Sequence, residues 1–86
     1  MSDDTLIEFP ADIAVKAMGL NTDDFESLVA SLVVPLIEPQ AHSVTTLPSK
    51  EGKYLSVSVR FTANDLEQLH RVYAVLRAED RVLYTL

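Results

Sequence analysis

The chain has 86 residues, of which 13 are acidic and 7 basic, for a formal net charge of −6, and it contains no cysteine and no tryptophan. That length fits one small domain held by packing alone. The missing cysteines exclude disulfides, thiolate nucleophiles, iron–sulfur clusters and cysteine-based zinc sites. The charge is uneven: residues 1–43 hold eight acids and one base, Lys16, while residues 44–86 hold five acids and six bases. An acidic front half with no compensating basic cluster argues against a nucleic-acid partner.

Met1-Ser2-Asp3-Asp4 opens the chain on acids, and no long apolar run follows. A secretory signal needs a basic start and an apolar stretch, so a cytoplasmic protein is expected. The uncharged stretch 27–37 is too short to span a bilayer and is interrupted by Pro35, so no membrane partner is expected either. Residues 1–8 read as a flexible acidic arm, and residues 9–86 as the single domain. Phe9-Pro10 reads as an extended lead-in, because the residue before proline avoids the α region.

Ile13 to Met18 is a short apolar run that predicts a first strand closed by Gly19. Asn21-Thr22-Asp23-Asp24 then offers a capping side chain and acids for the first turn of a helix. Phe25, Leu28, Val29, Leu32, Val33, Leu36 and Ile37 follow at helical spacing and form one apolar face. Pro35 removes a backbone bond within this pattern, so the helix is expected either to kink there or to end near Val34 with a looser last turn.

Val44, Thr45 and Thr46 favour a second strand over residues 42–47. Residues 48–53, with Gly52, read as the turn of a hairpin. In the third strand Leu55, Val57, Val59 and Phe61 alternate with Tyr54, Ser56, Ser58 and Arg60, so one face is apolar and the other polar. Asn64, followed three residues later by Glu67, resembles a capping box at the start of a second helix, with Leu66, Leu69, Val72, Tyr73 and Leu76 as its apolar face. Residues 81–86 read as a last strand, with Val82, Tyr84 and Leu86 on one face.

The order β-α-β-β-α-β predicts an α+β, ferredoxin-like fold: a four-stranded antiparallel sheet with two helices on one face. The first and third strands become central and the second and fourth become edges. The open sheet face is expected to carry Lys16, Ser56, Ser58 and Arg60, a polar surface or a small anion-binding spot.

The common chemistries of this fold find no support in these residues. Paired cysteines for a metal carrier are absent, the aromatic platform of an RNA-binding sheet is absent, and the turn at residues 48–53 is too short for a nucleotide-binding loop. His42 and His70 fall on separate elements, and Ser43 beside His42 lacks the third group that a nucleophile–base pair needs. Asp23, Asp24 and Glu26 read as complements to the helix dipole rather than as metal ligands. No catalytic residue, metal site or cofactor is expected, and the chain is not expected to be an enzyme.

Phe9-Pro10, Lys16-Ala17-Met18-Gly19, the stretch Pro48-Ser49-Lys50-Glu51-Gly52-Lys53-Tyr54-Leu55-Ser56-Val57-Ser58-Val59, and Glu67-Gln68-Leu69 with Tyr73 and Leu76 together resemble the YbeD-like family of small bacterial cytosolic proteins. The resemblance covers roughly residues 7–86. The sequence departs from the family pattern at Pro35 and at Lys50, where a second serine is common. The resemblance implies a ferredoxin-like fold similar to the ACT regulatory domain and implies no catalytic residues. ACT domains bind small effectors at the loop after the first strand, commonly at a dimer interface, and the corresponding residues here are Met18, Gly19, Leu20 and Asn21. The Asp-x-Pro-Gly pattern usual in ACT domains is absent.

Two functions follow as expectations. One is a regulatory domain that binds a small ligand at Met18–Asn21, with a cationic or neutral ligand preferred because Asp23 and Asp24 stand beside the loop. The other is a protein-interaction module working through an edge strand or the open sheet face. Either one leaves room for a homodimer.

Overall fold

The computed structural model describes residues 8–86. The acidic arm expected over residues 1–8 lies, apart from the exposed Glu8, outside the described residues. The elements are β1 (Ala11–Leu20), α1 (Phe25–Ile37), β2 (Ser43–Pro48), β3 (Tyr54–Ala63), α2 (Leu66–Arg77) and β4 (Tyr84–Thr85). They build one four-stranded sheet in the order β2-β3-β1-β4, antiparallel throughout. Both helices pack on one face of the sheet, so the architecture is the ferredoxin-like βαββαβ fold expected from the pattern of elements.

The core lies between sheet and helices. Val15 and Ala17 of β1 and Leu55, Val57, Val59, Phe61 and Ala63 of β3 meet Phe25, Val29, Val33 and Ile37 of α1 and Leu69, Val72 and Leu76 of α2, all buried. Strand periodicity of two and helix spacing of four residues aim these side chains at one another.

Several boundaries differ from the sequence expectation. β1 runs through Gly19 instead of stopping before it, and Gly19 is buried. A Cβ at Gly19 would collide with the backbone carbonyl of Arg81 and would stand 2.6 Å from the Phe25 ring. The glycine therefore serves the close approach of two other segments rather than a turn.

α1 continues past Pro35, and the Glu38 amide donates to the Val34 carbonyl at 3.0 Å to close its last turn. Pro35 and Ser31 are both exposed, so the carbonyl left without an amide donor is on the solvent side of the helix. The Phe9–Pro10 and Glu38–Pro39 peptide bonds are cis.

At the start of α2 the capping residue is Asp65, not Asn64. Asp65 Oδ1 accepts from the Gln68 amide at 2.8 Å, and Gln68 Oε1 accepts from the Asn64 amide at 2.7 Å. The capping box is thus present one residue further along than expected. Gln68 is buried, and its Nε2 donates to the Leu36 carbonyl at 3.0 Å, joining the two helices.

β4 is short. Residues 79–82 form a turn in which the Val82 amide donates to the Glu79 carbonyl at 3.0 Å. Val82 packs against the core instead of sharing a strand face with Tyr84 and Leu86.

Candidate functional site

The residues expected to bind a small ligand are placed as follows. Met18, Gly19 and Leu20 belong to β1, and only Asn21 lies beyond it. The Asn21 amide donates to the Lys53 carbonyl at 2.9 Å, and its Nδ2 to the Gly52 carbonyl at 3.0 Å. Asn21 therefore fastens the β1–α1 loop to the β2–β3 turn, where Gly52 adopts φ +78, a conformation that favours glycine.

The same loop is clasped from its other side. Arg81 donates to Asp24 at 2.7 and 3.0 Å and to Thr22 Oγ1 at 2.6 Å. The Arg81 guanidinium, aided by the Thr22 hydroxyl, holds the Asp24 carboxyl far below the usual carboxylate range. Asp24 consequently makes no side-chain cap at the start of α1, contrary to the helix-start expectation for residues 21–24. The Arg81–Asp24 pair spans 57 residues of sequence, and no local pattern announces it.

The open sheet face is laid out by the strand register, because residues directly opposite one another in an antiparallel pair point to the same side. Lys16 lies opposite Ser58, and Ser58 opposite Thr45. Arg60 lies opposite Ala14 and Ser43 and makes a 3.3 Å ion pair with Asp12. These positions carry the expected polar surface. Ser56 is the exception: it faces the open side but is only 8% exposed, between Met18 on β1 and Leu47 on β2.

Ser56 is the floor of an apolar patch. The row Leu47–Ser56–Met18–Tyr84 crosses all four strands, opposite residue to opposite residue. On one side of that row stand Leu20 and Tyr54, opposite each other. On the other side Leu86 exchanges backbone hydrogen bonds with Lys16 and so shares its face. Among the described residues the exposed large hydrophobic side chains are Leu20, Leu47, Leu83, Tyr84 and Leu86, and all but Leu83 meet in this patch, at 49–69% exposure. Contiguous exposed apolar surface of this kind marks interaction sites more often than isolated exposed leucines do.

Two lysines flank the patch. Lys16 stands beside Leu86 and forms no ion pair within the described residues. Lys53 lies past the Leu20–Tyr54 end, with its Nζ 5.4 Å from the centre of the Tyr54 ring.

Among the described residues no triad or metal cluster takes shape. Exposed His42 sits with Asp12, Ser43 and Arg60 around a shallow depression of about 240 Å³, whereas His70 is on α2 beside Tyr73 and Arg77. Among the described residues no three of the metal-ligating types lie close enough to hold an ion. Among the same residues no helix is long and apolar enough to cross a membrane.

The geometry defines a ferredoxin-like domain with one covered and one open sheet face. Comparison with known proteins places it more narrowly. Residues 4–86 match the family described as "Protein of unknown function (DUF493)". The chain is 36% identical over 85 residues to a UPF0250 protein of Janthinobacterium sp. (strain Marseille), covering 96% of this chain and 92% of the relative. It is 35% identical over 79 residues to the UPF0250 protein NMA1380 of Neisseria meningitidis, covering 91% and 87%. The chain therefore belongs to the DUF493 family of UPF0250 proteins, the YbeD-like proteins its sequence resembles. The solution structure of HP0495 from H. pylori superposes with a TM-score of 0.71 at 20% identity, over 93% of this chain and 85% of that one, and supports the fold. The descriptions of these relatives name no reaction, ligand or partner.

Proposed function

We propose that the protein is a non-catalytic interaction domain that presents the patch end of its open sheet face to a protein partner. The observation that carries this reading is the convergence of Leu20, Leu47, Tyr84 and Leu86 around the buried Ser56. These side chains gain nothing from the fold's own core, which lies on the other side of the sheet, and each loses water contact when a partner covers it. The test is to place a photo-crosslinking side chain at position 47 or 84, with position 67 on the exposed side of α2 as control. The reading expects a discrete higher-mass adduct in cells from positions 47 and 84 and not from 67. Absence of adducts from both sheet positions, or equal yields from all three, overturns it.

A regulatory small-ligand site at Met18–Asn21 is the second reading, and the Arg81 clasp favours one ligand class. Asp24 and Thr22 already hold a guanidinium by exposed bonds, so a cationic ligand could take its place. Titration with arginine and with glutamate separates the outcomes. Amide shifts at residues 19–24 with arginine alone support this site, and no shift with either removes it.

A further inference from the structure

The patch and its surroundings also specify the chemistry of the partner. The net charge of −6 is not spread over the open face. Among the described residues that the register places there, the charged ones are Asp12, Lys16 and Arg60, and Asp12 is paired with Arg60 at the end remote from the patch. Most acids of the fold stand instead around the helices and loops: Asp23, Asp24, Glu26, Glu38, Asp65, Glu67, Glu79 and Asp80 are outside this face, and Glu51 is in the turn with Lys53. Near the apolar row the local charges are therefore Lys16 on one side and, past Tyr54 on the other, the turn that carries Lys50, Glu51 and Lys53, with two bases against one acid.

The dimensions narrow the shape. Leu47 and Tyr84 are separated by three strand spacings, about 14 Å at the usual 4.7–4.9 Å per spacing. A helix rising 1.5 Å per residue covers that span in about 10 residues, so apolar side chains at i, i+3, i+7 and i+10 match the row. Small Ser56 at the floor, between the larger Met18 and Leu47, leaves a depression for one of them. A helix seated along the row has one flank over Lys16 and the other toward Lys53.

We infer that the open face receives an acidic amphipathic helix of a partner protein, with an apolar stripe of about three turns laid along Leu47–Ser56–Met18–Tyr84 and carboxylates on both flanks. This inference rests on the interaction reading above and adds the partner's chemistry to it. Complementary flanking charge sets register and rejects basic helices.

The experiment uses the full chain, labelled for amide NMR, and two synthetic helical peptides of about 14 residues. Both carry the same leucine stripe; one has glutamates on its flanks and the other lysines. The glutamate peptide is expected to shift the amides of Lys16, Met18, Ser56 and Tyr84 and to bind roughly tenfold or more tightly than the lysine peptide, the scale of about 1.4 kcal/mol, at about 0.15 M salt, where a Debye length of about 8 Å screens the distant acids. Lys16→Glu should remove that preference, and Leu47→Asp should remove binding of both peptides. Amide dispersion verifies that each variant is folded, and both sites are on the surface. Equal affinity for the two peptides, or shifts confined to the helix side, overturns the inference. So does a set of dilution-dependent shifts on the patch without peptide, which would assign the face to a second copy of the chain. Charge-blind binding at the patch would refute the acidic partner and leave the interaction reading standing, whereas missing crosslinks from positions 47 and 84 would refute that reading itself.

Discussion

Gly19 lies where three segments meet. The Arg81 carbonyl and the Phe25 ring occupy the space that any side chain would need. The carbonyl is backbone and cannot swing aside, so Gly19→Ala is expected to destabilise the fold by about 1–3 kcal/mol, the usual cost of overpacking. Urea unfolding measures this, and an unchanged midpoint would contradict the close approach of the 79–82 turn to Gly19. The neighbouring Arg81–Asp24 pair is exposed, so its contribution is small and screened by salt. Its pH dependence has a definite sign. Arg81 lowers the Asp24 pKa in the folded chain, so the stabilisation is present above the unfolded carboxylate value of about 3.9 and is lost as pH falls below it. Asp24→Asn should therefore be less stable than the parent at neutral pH, and the gap should close progressively in acid. A gap that widens in acid would contradict the assignment.

At the scale of elements, β2 is the edge whose outward backbone groups can be identified. The Ser49 amide donates to the Tyr54 carbonyl at 2.9 Å. Because hydrogen-bonded and non-bonded pairs alternate in an antiparallel ladder, Leu47, Thr45 and Ser43 bond to β3, while Val44, Thr46 and Pro48 point off the sheet. Proline is tolerated there because no ladder bond is asked of it. The Val44 and Thr46 amides should exchange with solvent far faster than those of Thr45 and Leu47 in dilute protein. Equal protection of all four would contradict the edge placement, and protection of Val44 and Thr46 that grows with concentration would show a second copy adding a strand.

The elements themselves were largely legible in the sequence, because the alternation in β3 and the helical spacing of Phe25, Val29, Val33 and Ile37 report directly on burial. The clasp was not, since Asp24 and Arg81 are distant in sequence, Asp24 reading as a dipole complement at a helix start and Arg81 as the first residue of the last strand. The patch was hidden for another reason. β1 is apolar in both phases toward its end, so Met18 and Leu20 gave no sign of which face they would take. Their side became clear only through register, opposite Ser56 and Tyr54.

At the scale of the molecule, the fold divides its surface by chemistry. The helix side and the loops carry most of the acids, and the open sheet carries an apolar end between two lysines. A net charge of −6 opposes aggregation, and most of the acids stand away from the patch. The most direct measurement of that claim is crosslinking from position 84 in the parent chain and in a Leu20→Asp, Leu47→Asp double variant, read beside the unfolding midpoint of each. Both leucines are exposed, so stability should change by no more than about 0.5 kcal/mol per site, while the crosslinked adduct disappears. A variant that keeps the adduct at full yield, with its fold intact, would contradict the account.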